Sequence, residues 1–157
     1  MIVNLSLIPE GGLTVEGEED PAIIDIDDPL LAFPRPIGYR LRVFRTSRLL
    51  LVRGTLETEV SFTCSRCLKK FTAPVRVAAF GREKEIEENQ VKIDLTGDIR
   101  EDIILAIPVK PLCRADCRGI CPYCGKELNE GRCGCPDRAA DSPFAKIDLF
   151  STTNQEG

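Results

Sequence analysis

The 157-residue chain holds eight cysteines and no histidine, and the cysteines fall into four close pairs: Cys64/Cys67, Cys113/Cys117, Cys121/Cys124 and Cys133/Cys135. Two sulfurs from one tight turn occupy two corners of a tetrahedron, and a second pair fills the others. Four pairs therefore make two complete metal sites with nothing left over. The absence of histidine removes histidine-based nucleophile activation, general-base chemistry and mixed ligation.

Cys121-Pro122-Tyr123-Cys124-Gly125 is the strongest single motif. A glycine after the second cysteine lets the backbone turn back and aim amides at the sulfurs. Cys133-Gly134-Cys135 follows after eight residues, close enough to complete a local site of Cys121, Cys124, Cys133 and Cys135. That leaves Cys64, Cys67, Cys113 and Cys117 for a second site. A rival partition groups Cys113, Cys117, Cys121 and Cys124. Two closed four-thiolate sites favour structural zinc, which contributes folding energy on the order of 10 kcal/mol in small modules. Iron is the competitor, because the CPxCG turn resembles a rubredoxin knuckle and an iron site would imply electron transfer. A CxC partner turn and the scarcity of nearby aromatics (Tyr123 and Phe144) weigh against it.

Composition is that of an ordinary globular chain, 43% hydrophobic and 29% charged. The start, MIVNLSLIPEGG, lacks a basic segment, a long apolar run and a cleavage site, so a cytoplasmic location is expected, where thiols stay reduced and paired cysteines hold metal. The net charge of −4 is uneven. Residues 1–28 carry eight acids and no base, whereas residues 29–82 carry eleven Lys/Arg against only Glu57 and Glu59. The acidic stretch is expected to be mobile or to lie against the basic middle.

Period-two alternation predicts an antiparallel meander. Residues 2–9 read as a first strand and 10–36 as loop. Tyr39, Leu41 and Val43 mark a strand that turns near Thr46–Ser47. Leu50, Val52, Gly54, Leu56, Thr58, Val60 and Phe62 form one face of a long strand, with Gly54 as a candidate bulge. Phe71, Ala73, Val75, Val77 and Ala79 return after the first cysteine pair. Val91–Leu95 reads as an edge strand. A helix capped by Thr96 or Asp98 runs to about Ile107, stopped by Pro108 and Pro111. The expected fold is α+β: an antiparallel meander with one main helix over 1–112, a cysteine-rich zinc module over 113–140, and a short segment with a polar tail over 141–157.

No nucleotide-binding loop, nucleophile elbow or acid/base pair is legible, so the chain reads as a non-enzyme. Glu83, Glu85, Glu87 and Glu88 form a charge run of the kind that is usually solvated. Arg66, Lys69 and Lys70 cluster at the first knuckle, and Arg40, Arg42, Arg45, Arg48 and Arg53 come from the preceding strands. Arg40, Arg42, Arg45, Arg66, Lys69 and Lys70 are candidate nucleic-acid contacts. The competing reading pairs these cations with the acidic 10–28 segment or leaves them solubilising an exposed face.

With these residues placed, the chain resembles the YceD-like family of bacterial and plastid proteins linked to accumulation of large-subunit ribosomal RNA. The resemblance runs from about residue 37 to 150. It is carried by Cys64-Ser65-Arg66-Cys67-Leu68, by Ile93-Asp94-Leu95 leading into Ile99-Arg100-Glu101-Asp102-Ile103-Ile104-Leu105, by Pro108 and Pro111-Leu112-Cys113, and by the segment Cys117 to Asn129. It implies a cytosolic, non-enzymatic factor in ribosome biogenesis whose partner is precursor ribosomal RNA or a large-subunit ribosomal protein, with no membrane and no small-molecule substrate. Many members end in a helix after the last cysteines, and the residues from Asp141 onward make only a short one plausible. A protein adaptor without RNA contact, or a rubredoxin-like iron protein, are the alternatives.

Overall fold

The computed structural model describes residues 1–135. The expectations for 136–140 of the cysteine-rich module and for the 141–157 segment lie outside the described residues.

Among the described residues, seven strands and one α-helix follow the order β1 (Ile2–Asn4), β2 (Leu13–Glu19), β3 (Leu31–Ala32), β4 (Ile37–Arg45), β5 (Leu49–Thr63), β6 (Lys70–Glu85), β7 (Lys92–Asp94) and α1 (Thr96–Ala106). The main sheet is antiparallel, and β5 is its axis. One flank of β5 pairs with β4, which in turn pairs with β2, while β6 runs along the other flank. Near its C-terminal end β5 also takes β3, with Leu31 opposite Phe62. β1 and β7 form a separate two-stranded ribbon. The antiparallel sheet and single helix match the α+β expectation.

Leu50, Val52, Leu56, Val60 and Phe62 of β5 are buried on the face that the alternation assigned to them. Leu50, Val52 and Leu56 meet Leu41 and Val43 of β4 and Ile99 and Ile103 of α1 in a continuous core. Each such side chain contributes about 1.5–3 kcal/mol through the apolar surface it removes from water. A second cluster, Val60, Phe62 and Val75, continues this core along the sheet to Ala106 and Ile107 at the end of the helix. The helix is also held to β6 by charge: Arg82 pairs with Asp98 and Asp102, and Lys84 with Asp98 at 2.8 Å.

Four expectations need correction. The acidic stretch is not loop throughout: β2 lies there and pairs with β4 along its length. Its polarity hid it, because its stabilising contacts are cross-strand ones. Glu16 meets Arg40 at 2.9 Å, and Tyr39 packs over Gly17. The first strand stops at Asn4, where a 3-10 turn over Leu5–Leu7 begins. The helix is not capped by Thr96 or Asp98. Its N-cap is Leu95, Asp94 accepts from the Thr96 amide at 2.8 Å, and Asp98 is spent on the ion pairs to β6. The return strand runs to Glu85 and changes parity on the way: Gly54 pairs with Phe80 but Leu56 pairs with Val77, so β6 carries one extra residue there. The bulge thus lies opposite Gly54 and turns Phe80, not Ala79, into the core.

Gly54 sits where strands crowd. A Cβ there would lie 2.0 Å from the carbonyl oxygen of Arg40 and 2.8 Å from Leu41 Cα. Gly54→Ala is expected to lower stability by about 1–3 kcal/mol or more, as overpacking does. Gly97→Ala, in open space within α1, is expected to be neutral or to gain about 0.5–1 kcal/mol. Urea titration of both variants checks the contrast, and an unchanged midpoint for Gly54→Ala would contradict it.

Candidate metal centre

The turn between β5 and β6 contains Cys64 and Cys67. The Cys64 amide donates to Lys69 O at 2.9 Å, and the Leu68 amide returns to Cys64 O at 3.0 Å. The Cys121/Cys124 turn repeats this pattern, with the Cys121 amide on Lys126 O at 2.8 Å and the Gly125 amide on Cys121 O at 2.9 Å. Both turns need a left-handed residue after the second cysteine. Gly125 supplies it at φ 71°, and Leu68 does so at φ 59° despite its bulk. The matching C-x-x-C spacing was the available signal for this likeness. Sequence reasoning used it for Gly125 and missed Leu68.

The eight sulfurs gather into two groups: Cys64, Cys67, Cys113 and Cys117, and separately Cys121, Cys124, Cys133 and Cys135. In each, the four Sγ atoms lie within 4.8 Å of one another. The rival set of Cys113, Cys117, Cys121 and Cys124 is not assembled. In the first group, hereafter the inner site, Cys64 and Cys117 are 3.8 Å apart and Cys67 and Cys113 are 3.6 Å apart. A disulfide would need about 2.05 Å. A tetrahedral ion with metal–sulfur bonds of about 2.3 Å gives edges of about 3.8 Å. The inner sulfurs therefore have the spacing of four ligands around one ion, and both groups have a donor set able to hold a metal.

Polar groups are aimed at the sulfurs as they would be at thiolates. The Cys113 amide faces Cys64 Sγ at 3.5 Å, the Tyr123 amide faces Cys121 Sγ at 3.5 Å, and Asn129 Nδ2 faces Cys117 Sγ at 3.4 Å. Burial pushes the Cys64 thiol up, but the amides of Cys67, Cys113 and Arg66 outweigh it and bring it to about 6. Amides of Cys124 and Tyr123 likewise hold Cys121 at about 6. Cys113 is pushed up to about 12 by burial and by the surrounding sulfurs. Cys135 reaches about 12 through its contact with Cys124 and through burial. Each site thus combines at least one sulfur that ionises more readily than an ordinary thiol with one that its neighbours and burial hold protonated.

The inner site joins remote parts of the chain. Ser65 donates to Pro111 O at 2.9 Å, and Ile120 donates to Arg66 O at 3.2 Å. Arg66 Nη1 bonds Cys117 O at 2.8 Å. Gly119, at φ 75°, comes so close that a Cβ would meet Arg66 O at 2.9 Å. Asn129 links the two sites: its Nδ2 serves the inner Cys117 while its Oδ1 accepts from the Arg118 amide and from Arg114, and it belongs to the loop of the outer site. Neither Asn129 nor the structural use of Arg66 was legible in the sequence.

The basic candidates do not form one patch. Lys69 lies between Glu127 and Glu130, at 2.5 and 2.8 Å, which raise its pKa above the usual lysine value. Arg40 pairs with Glu16, and Arg42 lies over the Phe44 ring at 4.7 Å. Arg45 donates to Leu5 O at 3.0 Å. Lys70 is exposed at the start of β6. Arg66 and Arg45 stand near opposite ends of β5, roughly 45 Å apart for a strand of this length. Arg42 and Arg53 are direct cross-strand neighbours on the exposed face. Glu83, Glu85, Glu87 and Glu88 are exposed.

With this geometry in place, comparison with known proteins is informative. A family pattern described as large ribosomal RNA subunit accumulation protein YceD matches residues 79–150. The chain belongs to the YceD-like family. An uncharacterised protein of Mycobacterium tuberculosis is 31% identical over 131 residues, covering 74% of this chain and 57% of that one. One of Mycobacterium leprae is 31% identical over 121 residues, covering 68% and 56%. The chloroplastic large ribosomal RNA subunit accumulation protein YCED homolog 1 of Arabidopsis thaliana is 24% identical over 152 residues, covering 71% and 47%. The chain thus spans about half the length of these relatives. No solved structure matches it. Among the described residues, no helix is long and apolar enough to cross a membrane.

Two outcomes follow. Cys117→Ser is expected to remove one metal equivalent and melt the cooperative fold, because it opens the inner site. Cys124→Ser is expected to remove one equivalent while the far-UV circular dichroism of the sheet persists. Equal loss of sheet signal in both would contradict the division of labour. Metal affinity is expected to fall as pH drops from 8, because Cys113 and Cys135 must release protons to bind. It should fall more steeply below pH 6, where Cys64 and Cys121 also become protonated in the free protein. Competition with a chromophoric chelator across this range measures both slopes.

Proposed function

We propose that this chain is a non-enzymatic, zinc-stabilised factor of the cytosol that supports accumulation of large-subunit ribosomal RNA by binding a protein of the assembling large subunit. Membership of the YceD-like family supports the process. The observation that carries the mode of action is the state of the knuckle cations: Lys69 is matched by two glutamates and Arg66 is committed to Cys117 O. The end of the sheet that the inner site ties to the chain after α1, hereafter the clamp, is therefore poorly suited to phosphate, and a protein contact suits it better.

Zinc is the ion of choice because four thiolates close the tetrahedron and leave no position for a substrate. When bound it supplies cross-linking and charge compensation. The chain's own residues do the rest: the amides and Asn129 hold the sulfurs as thiolates, and the clamp fixes the surface around Leu68. Direct binding of precursor RNA is the second reading. It is favoured by the adjacent Arg42 and Arg53 on the open sheet face, which have no ion-pair partner among the described residues.

Two measurements test this. Elemental analysis should give about two zinc per chain in a colourless protein, whereas visible absorbance from thiolate-bound iron would contradict the zinc assignment. Deleting the gene should lower large-subunit relative to small-subunit ribosomal RNA. A tagged chain should retain a large-subunit protein after RNase treatment, while loss of all partners on RNase would favour the RNA reading.

A further inference from the structure

The two knuckles differ at the one position where their backbones agree. Gly125 takes the left-handed conformation without steric cost, and Leu68 takes it against the steric preference of an L-residue with a Cβ. Leu68 gains little burial in return, since 61% of its surface is exposed. A strained bulky residue that points into solvent is an outlier of the kind found where a contact is made.

Leu68 does not stand alone. It lines an open cleft of about 370 Å³ with Ile26, Leu30, Ile107, Pro108 and Val109. Leu30 is 57% and Val109 is 96% exposed. The cleft lies across the clamp, between the residues before β3, the first knuckle and the chain leaving α1, so the inner metal site fixes its walls. Its volume is within the range of ligand-sized clefts.

The charge within its lining has one sign. Asp28 is the sole charged residue in the lining. Asp27, next to it in the chain, is exposed and without an ion-pair partner among the described residues. Lys69, beside Leu68, already carries two carboxylates. Lys110, exposed between the lining residues Val109 and Pro111, does not itself line the cleft, and neither does Asp27.

We infer that this cleft docks a segment of a partner protein in which leucine-sized side chains are flanked by lysine or arginine. The apolar anchors enter beside Leu68 and Val109, and the cations meet Asp27 and Asp28. The assignment rests on the reading of this chain as a protein-binding factor and names the chemistry of the partner. The polarity of the cleft disfavours nucleic acid, whose phosphates would face aspartates.

The test uses the full zinc-loaded chain and fluorescence anisotropy. The probes are a labelled peptide with two leucines flanked by lysines, its counterpart with glutamates in place of the lysines, and a single-stranded RNA. The lysine peptide is expected to bind about tenfold or more tightly than the glutamate peptide. Leu68→Gly, which keeps the turn and relieves its strain, should weaken binding by about tenfold while metal content is unchanged and thermal stability is equal or higher. Asp27→Lys should reduce or reverse the charge preference. Equal binding of both peptides, no loss in Leu68→Gly, or displacement of the peptide by RNA would each overturn the inference. Because binding is read outside the cell, the two proposals fail separately. A cleft that binds as described, in a chain whose deletion leaves large-subunit ribosomal RNA at its normal level, would uphold this inference and overturn the functional reading.

Discussion

The inner cysteine site is the constraint on which the rest of the molecule depends. β5 and β6 are long, and their mutual hydrogen bonds fix only their own register. What lies beyond their turn is set by four sulfurs, two from that turn and two from the chain that leaves α1. Helix packing on the sheet brings Ile107 toward Phe62, and the cysteines then lock the following residues against the knuckle. Remove that lock, and the segment from 113 to 135 is left with its own outer site, one isolated bridge, a few backbone bonds and the polar contacts of Arg66 and Lys69.

The two sites therefore do different work although their chemistry is alike. Cys64, Cys67 and Cys117 of the inner site are buried, and that site brings two remote stretches of chain together. The outer site is more open, with Cys124 exposed, and it closes a single local loop. Asn129 connects them, since its placement depends on the outer loop and its amide serves an inner sulfur. The inner site lies directly behind the turn that presents the strained Leu68.

Ion pairing redistributes the charge pattern in a way that composition conceals. The acidic N-terminal stretch and the basic middle meet across β2 and β4, and Arg40 is matched by Glu16. Glutamates from the outer loop cancel Lys69. What remains at the clamp is an apolar cleft with an acidic edge. A local excess of cations in sequence has become, in three dimensions, a surface suited to a cationic partner.

The cysteine spacings and the alternation along β5 pointed to two four-sulfur groups, an antiparallel sheet and a helix ending before Pro108, while the partition of the cysteines was decided only by the fold. Those features are local, because each rests on residues a few positions apart or on a strict period. The strand within the acidic stretch was hidden, since β2 has little apolar pattern and is held by its neighbour. The bulge opposite Gly54 was half-visible: the glycine marked the place, but only strand pairing shows that the extra residue is in β6. The sequence by itself determined the thiol chemistry of this protein: four close pairs of cysteines, enough for two four-sulfur groups able to hold a metal. Only the tertiary structure decided which cations are cancelled and that Leu68 faces solvent over an apolar cleft, because both depend on which distant segments the inner site draws together.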